Sequence, residues 1–355
     1  MTREWLRKDF SHLLPYDPAF IQCDVMLSAN ENTAGIPERV KKEMLQALTE
    51  VEFNRYPDPM ANTLRDELAL WHNVSREHII VGNGGDELLF NLLLALGGPN
   101  ATLVSCPPEF SIYALYASMT QMRHVEIFRR SDFSLDEQAL FDAAKDATVI
   151  FLTSPNNPTG NVVDPEWVKK LAQATDALIV VDEAYIEFSN KDMSCVPLLK
   201  TCDNVAILRT FSKAFGMAGI RCGYMLAPAG VVSALSAVRQ PYSVDAISQA
   251  IATQAVKSRA LFDSCISEIV SQRDFVIAQL QALDGVQVWP SQANFILVRI
   301  HNAHHVYERL RDEYSILVRD FSTTPDLENC LRITIGTQDE NEKVISALKQ
   351  IVSEY

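Results

Sequence analysis

Residues 177–188 read ALIVVDEAYIEF, and their pattern indicates the class of fold. The first five residues of this stretch are all apolar. They lack the alternation of polar and apolar residues that is typical of a strand with one solvent-exposed face. A strand of this composition is covered on both faces, as in a parallel sheet flanked by helices. Asp182 follows the apolar run, so a carboxylate lies at the carboxyl end of the strand, where open α/β sheets bind ligands.

Similar short apolar runs recur on both sides of this strand, separated by segments with helical spacing. The predicted strands are residues 78–82, 102–106, 125–128, 148–152, 178–182, 205–209 and 222–226. The predicted helices between them are residues 87–96, 111–119, 135–144 and 166–174. Strands that alternate with helices predict an α/β fold built on a mostly parallel sheet.

The chain has 355 residues, and its pattern changes near residue 241, which favours two domains. Residues 37–241 are predicted to form a large domain with a mostly parallel mixed sheet flanked by helices. Residues 242–355 are predicted to form a smaller α+β domain, which begins with a long helical stretch over 245–283, free of Gly and Pro. Residues 1–36 are predicted to be an N-terminal arm that contributes to the small domain and the active site.

Composition excludes several classes of function. The chain carries 31 Lys and Arg against 45 Asp and Glu, a net charge of -14, which argues against nucleic acid or an anionic membrane as a partner. Its seven cysteines are scattered without C-x-x-C spacing, so neither a disulfide framework nor a metal site is predicted. Buried thiols of a cytoplasmic protein are expected instead. Neither a secretory signal nor an apolar run long enough for a membrane span is predicted.

A glycine-rich segment, GNGGDE at residues 82–87, is predicted to end a strand and open a helix. Glycines allow the backbone to approach an anion closely, and the free N–H groups of a helix N-terminus bind phosphate. A tight turn in which Asp86 caps the helix is the alternative. The spacing is not G-x-G-x-x-G, so a dinucleotide site is not predicted.

Two further loops follow predicted strands at the ligand-binding edge. SPNNPTG, residues 154–160, is a stiff loop after the apolar run VIFLT. Asp182 needs a partner because it is partly desolvated. That partner is a neighbouring cation, the N-terminus of a helix that Asp182 caps, or a protonated pyridinium nitrogen of a ligand. Tyr185 lies just beyond it.

The segment RTFSKAFGMAGIRCGY, residues 209–224, places a lysine in an unusual setting. Thr210 and Ser212 flank Lys213, and Arg221 lies eight positions further on. Hydroxyls and an arginine suit a phosphate dianion. A lysine held beside such a group can form an imine with an aldehyde.

These four segments, in this order, resemble the fold-type I enzymes that use pyridoxal 5′-phosphate (PLP), and among them the class I/II aminotransferases. The shared order covers nearly the whole chain. Within that class the sequence is most similar to the histidinol-phosphate aminotransferases. The supporting segments are LPYDP (14–18), ANEN (29–32), NRYPDP (54–59), GNGGDELL (82–89), ANFILVR (293–299), VRD (318–320) and LRITIGT (331–337).

The resemblance implies catalytic roles for Lys213, Asp182 and Tyr185. Lys213 forms a Schiff base with PLP and moves a proton between the substrate α-carbon and the cofactor C4′. Asp182 pairs with the pyridinium nitrogen, which makes the ring an electron sink. Asn157 and Tyr185 hydrogen-bond the phenolic oxygen. The residues implied for the PLP phosphate are Gly84, Gly85, Asp86, Thr210, Ser212 and Arg221.

The resemblance also implies a homodimer with shared active sites, because Tyr56 reaches the phosphate of the neighbouring subunit. Phe110 stands where the family usually has Tyr, so it keeps the ring stack on the cofactor and loses the hydroxyl. Thr33 replaces the usual Pro after the ANE motif.

Four residues are implied for substrate binding. Arg332 binds a substrate carboxylate, Arg319 helps hold the substrate phosphate, and Tyr16 and Asn30 close over the site from the arm.

The activity implied is transfer of the amino group from L-histidinol phosphate to 2-oxoglutarate, giving imidazole acetol phosphate and L-glutamate in histidine biosynthesis. A lyase resembling threonine-phosphate decarboxylase is one alternative, since it needs the same lysine and a phosphate site. An aromatic amino-acid aminotransferase is another, since its relatives share these motifs.

Overall fold

The computed structural model describes residues 5–7, 10, 11, 13 and 21–354. The strands are β1 Val25–Met26, β2 Ile79–Gly82, β3 Thr102–Ser105, β4 Arg123–Glu126, β5 Val149–Thr153, β6 Leu178–Asp182, β7 Val205–Thr210, β8 Gly223–Leu226, β9 Val286–Val288, β10 Phe295–Ile300, β11 Ile316–Leu317, β12 Arg319–Asp320 and β13 Cys330–Thr334. The helices are α1 Glu38–Leu48, α2 Asn62–His72, α3 Gly84–Leu96, α4 Ile112–Met119, α5 Glu137–Ala144, α6 Pro165–Gln173, α7 Ala229–Val238, α8 Ala246–Lys257, α9 Asp263–Gln281, α10 Ala303–Tyr314 and α11 Gln338–Val352.

A 7-stranded sheet forms the centre of the molecule, in the order β2-β8-β7-β6-β5-β3-β4. Strand β8 runs antiparallel to both of its neighbours, and the other pairs are parallel. Every residue of β6 is buried, as its apolar composition predicts. The predicted α/β class with a mostly parallel mixed sheet is therefore confirmed.

The direction of these strands assembles the predicted site. Strands β2, β3, β5, β6 and β7 all point the same way, so their carboxyl ends lie at one edge of the sheet. The amino end of the antiparallel β8 lies at that same edge. The glycine loop, SPNNPTG, Asp182 and the Lys213 segment, which are far apart in sequence, consequently meet there.

A second, 4-stranded sheet has the order β12-β13-β10-β9 and is antiparallel throughout. Helices α9 and α10 pack against it, and α11 packs against these two helices. Near the N-terminus, β1 pairs with β11 in parallel, so residues 25–26 join this C-terminal part of the chain.

The stretch predicted as one long helix, residues 245–283, is two helices. A 3-10 turn at Arg259–Phe262 separates α8 from α9. The turn buries Phe262 completely, with its ring 5.0 Å from that of Phe215, and the Ser258 hydroxyl donates to Glu43 at 2.6 Å. Helix α8 packs against α1 and α2. These tertiary contacts override a sequence that has no Gly or Pro to break the helix.

None of the helices in the described part of the chain is both long enough and apolar enough to cross a membrane. All seven cysteines are free, and most are buried.

A buried ion network lies behind the central sheet. Arg209 of β7 contacts Glu183 at 2.7 Å and Glu187 at 2.9 Å, and all three side chains are nearly inaccessible to solvent. Burial raises the pKa of both carboxyls, while the Arg209 charge opposes that rise. The network joins β7 to the segment after β6 that carries Tyr185.

Replacement of Arg209 by Met is expected to lower the free energy of unfolding by about 3–5 kcal/mol, because two buried carboxylates lose their counter-ion. Arg39→Met is the control, since Arg39 pairs with Glu43 on an exposed helix surface. Its cost should stay within about 0.5 kcal/mol. Urea denaturation of both variants measures the difference, and equal costs would contradict the role assigned to the network.

Candidate active site

Asp182 is a buried carboxylate at the carboxyl end of β6. Its Oδ1 accepts a hydrogen bond from the backbone N–H of Ala184 at 3.0 Å. Its Oδ2 accepts one from the hydroxyl of Tyr113 at 2.7 Å. Burial raises the pKa of Asp182 to about 6, against the lowering effect of these two hydrogen bonds. The carboxyl is thus held in one orientation and poised near neutrality.

Lys213 lies across the same edge, in the loop that follows β7. Its ammonium donates to the carbonyl of Ala29 at 2.8 Å and lies 5.7 Å from the centre of the Tyr185 ring. Burial, and after it the charge of Arg332, lower the pKa of Lys213 to about 8. Near neutral pH this lysine is therefore more often a neutral amine, the form that attacks an aldehyde, than an ordinary lysine is.

Tyr185 lies between the arm and the sheet edge. Its hydroxyl accepts from the side-chain amide of Asn30 at 3.0 Å, and its ring contacts Phe295 edge-on at 5.0 Å. Asn30 adopts a left-handed conformation at φ 56° and is anchored by Thr334 of β13, whose hydroxyl donates to its side-chain oxygen at 3.1 Å. The segment around Asn30 is thereby attached to both the large and the small sheet.

Arg332 of β13 is buried and reaches the same cleft. Its guanidinium donates to the side-chain oxygen of Asn157 and to the carbonyl of Ser28. It lies over the rings of Phe295 and Phe321, at 5.4 and 5.8 Å. A fixed positive charge stands beside Asn157 as a result.

The glycine loop forms a cradle with Arg221. Gly84 has φ 80°, and a Cβ added there would lie 2.8 Å from Nη2 of Arg221. That guanidinium forms an ion pair with Asp86 at 3.1 Å. A Cβ on Gly223 would lie 2.8 Å from the backbone nitrogen of Gly85. Glycine suits position 84 because of its positive φ, and an added methyl group there would displace the end of the Arg221 side chain. At Gly223 the backbone of the first turn of α3 approaches too closely for any Cβ.

Two hydroxyls complete this cradle. The Thr210 hydroxyl donates to Ser212 at 3.0 Å, and the Ser212 backbone N–H donates back to Thr210 at 3.1 Å. Arginine, hydroxyls and the N–H groups of a helix N-terminus are the donors that phosphate prefers. Asp86 does not cap its helix, because α3 begins at Gly84 and Asp86 lies inside the first turn, where its carboxylate pairs with Arg221.

The remaining predicted residues lie in different surroundings. Phe110 is half-buried at the sheet edge, with its ring perpendicular to that of Tyr113. Arg319 is exposed and lies over the ring of Phe321. Tyr56 is 82% exposed and stacks on Tyr242 at 4.7 Å. Tyr16 lies outside the described residues.

Tyr113, Thr153 and the carbonyl of Ala29 also belong to the site, although sequence reasoning did not single them out. Tyr113 falls in α4 among ordinary apolar residues, and Thr153 ends an apolar strand. The available signal is that Tyr113 follows Phe110 by three positions. Phe110 lies just before α4, and its carbonyl accepts from the backbone N–H of Tyr113 at 3.2 Å.

A desolvated carboxylate, a lysine with a lowered pKa and a cradle of phosphate donors define a class of site suited to a phosphorylated aldehyde. Comparison with known sequences agrees with that class. Residues 24–348 match the family described as aminotransferase class I and II, and the chain belongs to this family.

Individual relatives cover the whole chain. A histidinol-phosphate aminotransferase of Caldanaerobacter subterraneus is 35% identical over 99% of this chain and 100% of its own. One from Carboxydothermus hydrogenoformans is 39% identical, covering 98% and 99%.

Two solved structures extend the comparison. Histidinol-phosphate aminotransferase of Sinorhizobium meliloti, in complex with pyridoxal-5′-phosphate, superposes with a TM-score of 0.90 at 25% identity, over 99% of both chains. L-threonine-O-3-phosphate decarboxylase of Porphyromonas gingivalis gives a TM-score of 0.83 at 27% identity, over 93% of this chain and 99% of its own.

The close approach of Gly84 to Arg221 can be tested with inorganic phosphate. Gly84→Ala and Gly285→Ala place alanine at nearly the same left-handed φ, 80° and 76°, but nothing lies within 4 Å of a Cβ at Gly285. Both variants should lose stability, by about 1–3 kcal/mol. Only Gly84→Ala should also lose the rise in Tm that phosphate gives, because its methyl group displaces Arg221. An equal loss of that rise in both variants would contradict the cradle.

Proposed function

We propose that this enzyme transfers the amino group of L-histidinol phosphate to 2-oxoglutarate, giving imidazole acetol phosphate and L-glutamate, a step of histidine biosynthesis. The observation that carries the proposal is similarity along the entire chain to relatives named histidinol-phosphate aminotransferase, at 35–39% identity. The arrangement of charged groups at the sheet edge supports the same reaction class. A cytoplasmic location is part of the proposal.

The residues at the sheet edge fit PLP as the cofactor. The cradle of Gly84 and Arg221 suits the phosphate of PLP. The amine of Lys213 suits the aldehyde of PLP, and the Asp182 carboxylate suits the ring nitrogen. These three groups lie along one edge because β2, β8, β7 and β6, whose ends carry them, are neighbours in the sheet. When bound, PLP supplies an aldehyde that receives the amino group and a ring that withdraws electrons from the substrate α-carbon.

Lys213 acts through its Nζ atom, first as the covalent anchor and then as the base that takes the α-proton and returns it. The lowered pKa suits both tasks, because a base works best when its pKa lies near the operating pH. The Ala29 carbonyl holds the free ammonium close to the cleft at 2.8 Å.

As a carboxylate, Asp182 would accept a hydrogen bond from the ring nitrogen and keep that nitrogen protonated. Its orientation is fixed from behind by Ala184 and Tyr113, which leaves the carboxylate directed to a ligand. Tyr185 and Asn157 are assigned to the phenolic oxygen of the ring. Asn157 already accepts from Arg332 through its side-chain oxygen, so its amide N–H group is the part that donates to a ligand.

The two substrates place different demands on the basic residues of the cleft. Histidinol phosphate has a phosphate but no α-carboxylate, whereas glutamate has two carboxylates. Arg332, buried beside Asn157, is assigned to a carboxylate, and the exposed Arg319 to the phosphate. Asn30 and Tyr16 are assigned to the wall that the arm contributes.

A homodimer with shared active sites is also part of the proposal. Tyr56 is 82% exposed, and its stacked partner Tyr242 is 42% exposed. Phe53, close by in the chain, is 74% exposed. A large aromatic surface of this kind suits burial against a second subunit, where Tyr56 would reach the neighbouring phosphate site.

Threonine-phosphate decarboxylation is the second candidate, favoured by the structural similarity to the decarboxylase of Porphyromonas gingivalis. Both reactions need a PLP lysine and a site for a phosphorylated substrate. They differ in which bond of the α-carbon is cleaved.

Purified enzyme should convert its cofactor absorbance to that of the pyridoxamine form when glutamate is added, with release of 2-oxoglutarate. Histidinol phosphate should drive the same conversion, and 2-oxoglutarate should reverse it. Lys213→Ala should fail in both directions, because no base remains to move the α-proton. Carbon dioxide from threonine phosphate, without conversion by glutamate, would favour the decarboxylase; preferential conversion by phenylalanine or tyrosine would favour an aromatic aminotransferase.

Capture of PLP by the cofactor-free enzyme should accelerate as pH rises through about 8. The reason is that attack needs the neutral amine, and the pKa of Lys213 is lowered to about 8. Arg332→Gln removes a neighbouring positive charge, so the pKa should rise and the profile should move to higher pH. Arg319→Gln is the control and should leave the profile in place. Stopped-flow absorbance measures the rates. A wild-type rate that keeps rising to about pH 10, as for an ordinary lysine, would contradict the assignment.

A further inference from the structure

We propose that Tyr113 is a positioning residue for this chemistry, which keeps Asp182 ionised and oriented through a hydrogen-bond chain that begins at Thr153. The inference rests on the proposed function, because it gives Asp182 its task at the ring nitrogen. It assigns a role to a side chain in α4 that no functional motif of the sequence includes.

The geometry is that of a relay behind the carboxylate. Tyr113 is fully buried, and its hydroxyl lies 2.7 Å from Oδ2 of Asp182 and 2.9 Å from Oγ1 of Thr153. Thr153 and Asp182 end neighbouring parallel strands and are register partners. Tyr113 therefore bridges the ends of β5 and β6.

The directions of these hydrogen bonds follow from the number of protons available. An ionised Asp182 can only accept, so the single hydroxyl proton of Tyr113 is donated to it. The oxygen of Tyr113 then accepts from Thr153, whose hydroxyl is the remaining donor. Burial raises the pKa of Tyr113 well above its usual value, so it keeps its proton throughout the working pH range.

This donor controls where the proton of the ring nitrogen resides. Asp182 is desolvated, which favours its protonated form. A hydrogen bond from Tyr113 stabilises the carboxylate and so leaves the proton on the ring nitrogen. Without it, Asp182 would be more basic and would draw that proton toward itself. The ring would then withdraw fewer electrons from the substrate.

Tyr113 also lies against two other rings. Phe110, assigned to the cofactor face, contacts it edge-on at 5.8 Å, and Phe151 of β5 does so at 4.9 Å. The ring of Tyr113 thus supports Phe110, while its hydroxyl reaches Asp182. Tyr113→Phe preserves the contact with Phe110 and removes only the hydroxyl.

The test uses Tyr113→Phe in the PLP-loaded enzyme, with Tyr224→Phe as the control. Tyr224 is equally buried, and its hydroxyl hydrogen-bonds His72 at 3.0 Å. Both changes delete one buried tyrosine hydroxyl. Only Tyr113→Phe should weaken the affinity for PLP and move the pH transition of the cofactor absorbance upward. The transition would move because a cofactor ring with less positive charge withdraws fewer electrons. The nitrogen between Lys213 and the cofactor would then keep its proton to a higher pH.

Kinetics give a second measurement. In Tyr113→Phe, the maximal rate of the glutamate half-reaction should fall about ten- to hundredfold, the range expected for a lost hydrogen bond to a charged group. The glutamate concentration for half-maximal rate should change little, because the arginines are untouched.

Thr153 provides a conservative pair of variants. Thr153→Val removes the hydroxyl at nearly constant volume and should shift the absorbance transition in the same direction by a smaller amount. Thr153→Ser keeps the hydroxyl and should behave as wild type in this titration.

Equal absorbance titrations and PLP affinities for Tyr113→Phe and Tyr224→Phe would overturn the proposal. So would a Thr153→Ser protein as strongly shifted as Thr153→Val. Failure of the wild type to react with glutamate or histidinol phosphate would instead contradict the proposed function. The absorbance and affinity measurements on Tyr113→Phe would still decide the relay in that case.

Discussion

Desolvation of the Asp182 carboxylate is the constraint on which the site depends. A carboxylate at the end of a fully buried strand is costly unless it is hydrogen-bonded or paired with a positive charge. Tyr113 and Ala184 supply two hydrogen bonds, and yet burial still raises the pKa to about 6. A positively charged partner would stabilise this carboxylate further, and a protonated ring nitrogen would be such a partner.

Desolvation also governs the positively charged side chains of the cleft. Burial, and after it the charge of the buried Arg332, lower the pKa of Lys213 to about 8. Arg332 is held in turn by Asn157 and by the carbonyl of Ser28. The segment at Ser28 and Ala29 thus connects the two sheets. The Ser28 carbonyl accepts from Arg332 of the 4-stranded sheet, and the Ala29 carbonyl accepts from Lys213 at the edge of the 7-stranded sheet.

The chain's local patterns predicted much of this arrangement. The apolar run before Asp182 indicated a buried parallel strand, and the glycines of residues 82–85 indicated a backbone that approaches an anion. Other features could not be predicted locally. The break between α8 and α9 arises from burial of Phe262 and the contact of Ser258 with Glu43, both of which are long-range. Tyr113 resembles any core tyrosine until Asp182 and Thr153 are brought to it.

The alternation of strands and helices, the loops that end those strands and the residue types able to bind a phosphorylated aldehyde can all be read from the amino-acid sequence. These follow from local periodicity and side-chain chemistry. Only the tertiary structure decided which groups meet and how their pKa values change. Lys213 and Arg332 are remote in sequence, and the effect of one charge on the other depends on distance and burial. The role proposed for Asp182, which is to keep the ring nitrogen protonated, likewise depends on neighbours that only the folded sheet brings together.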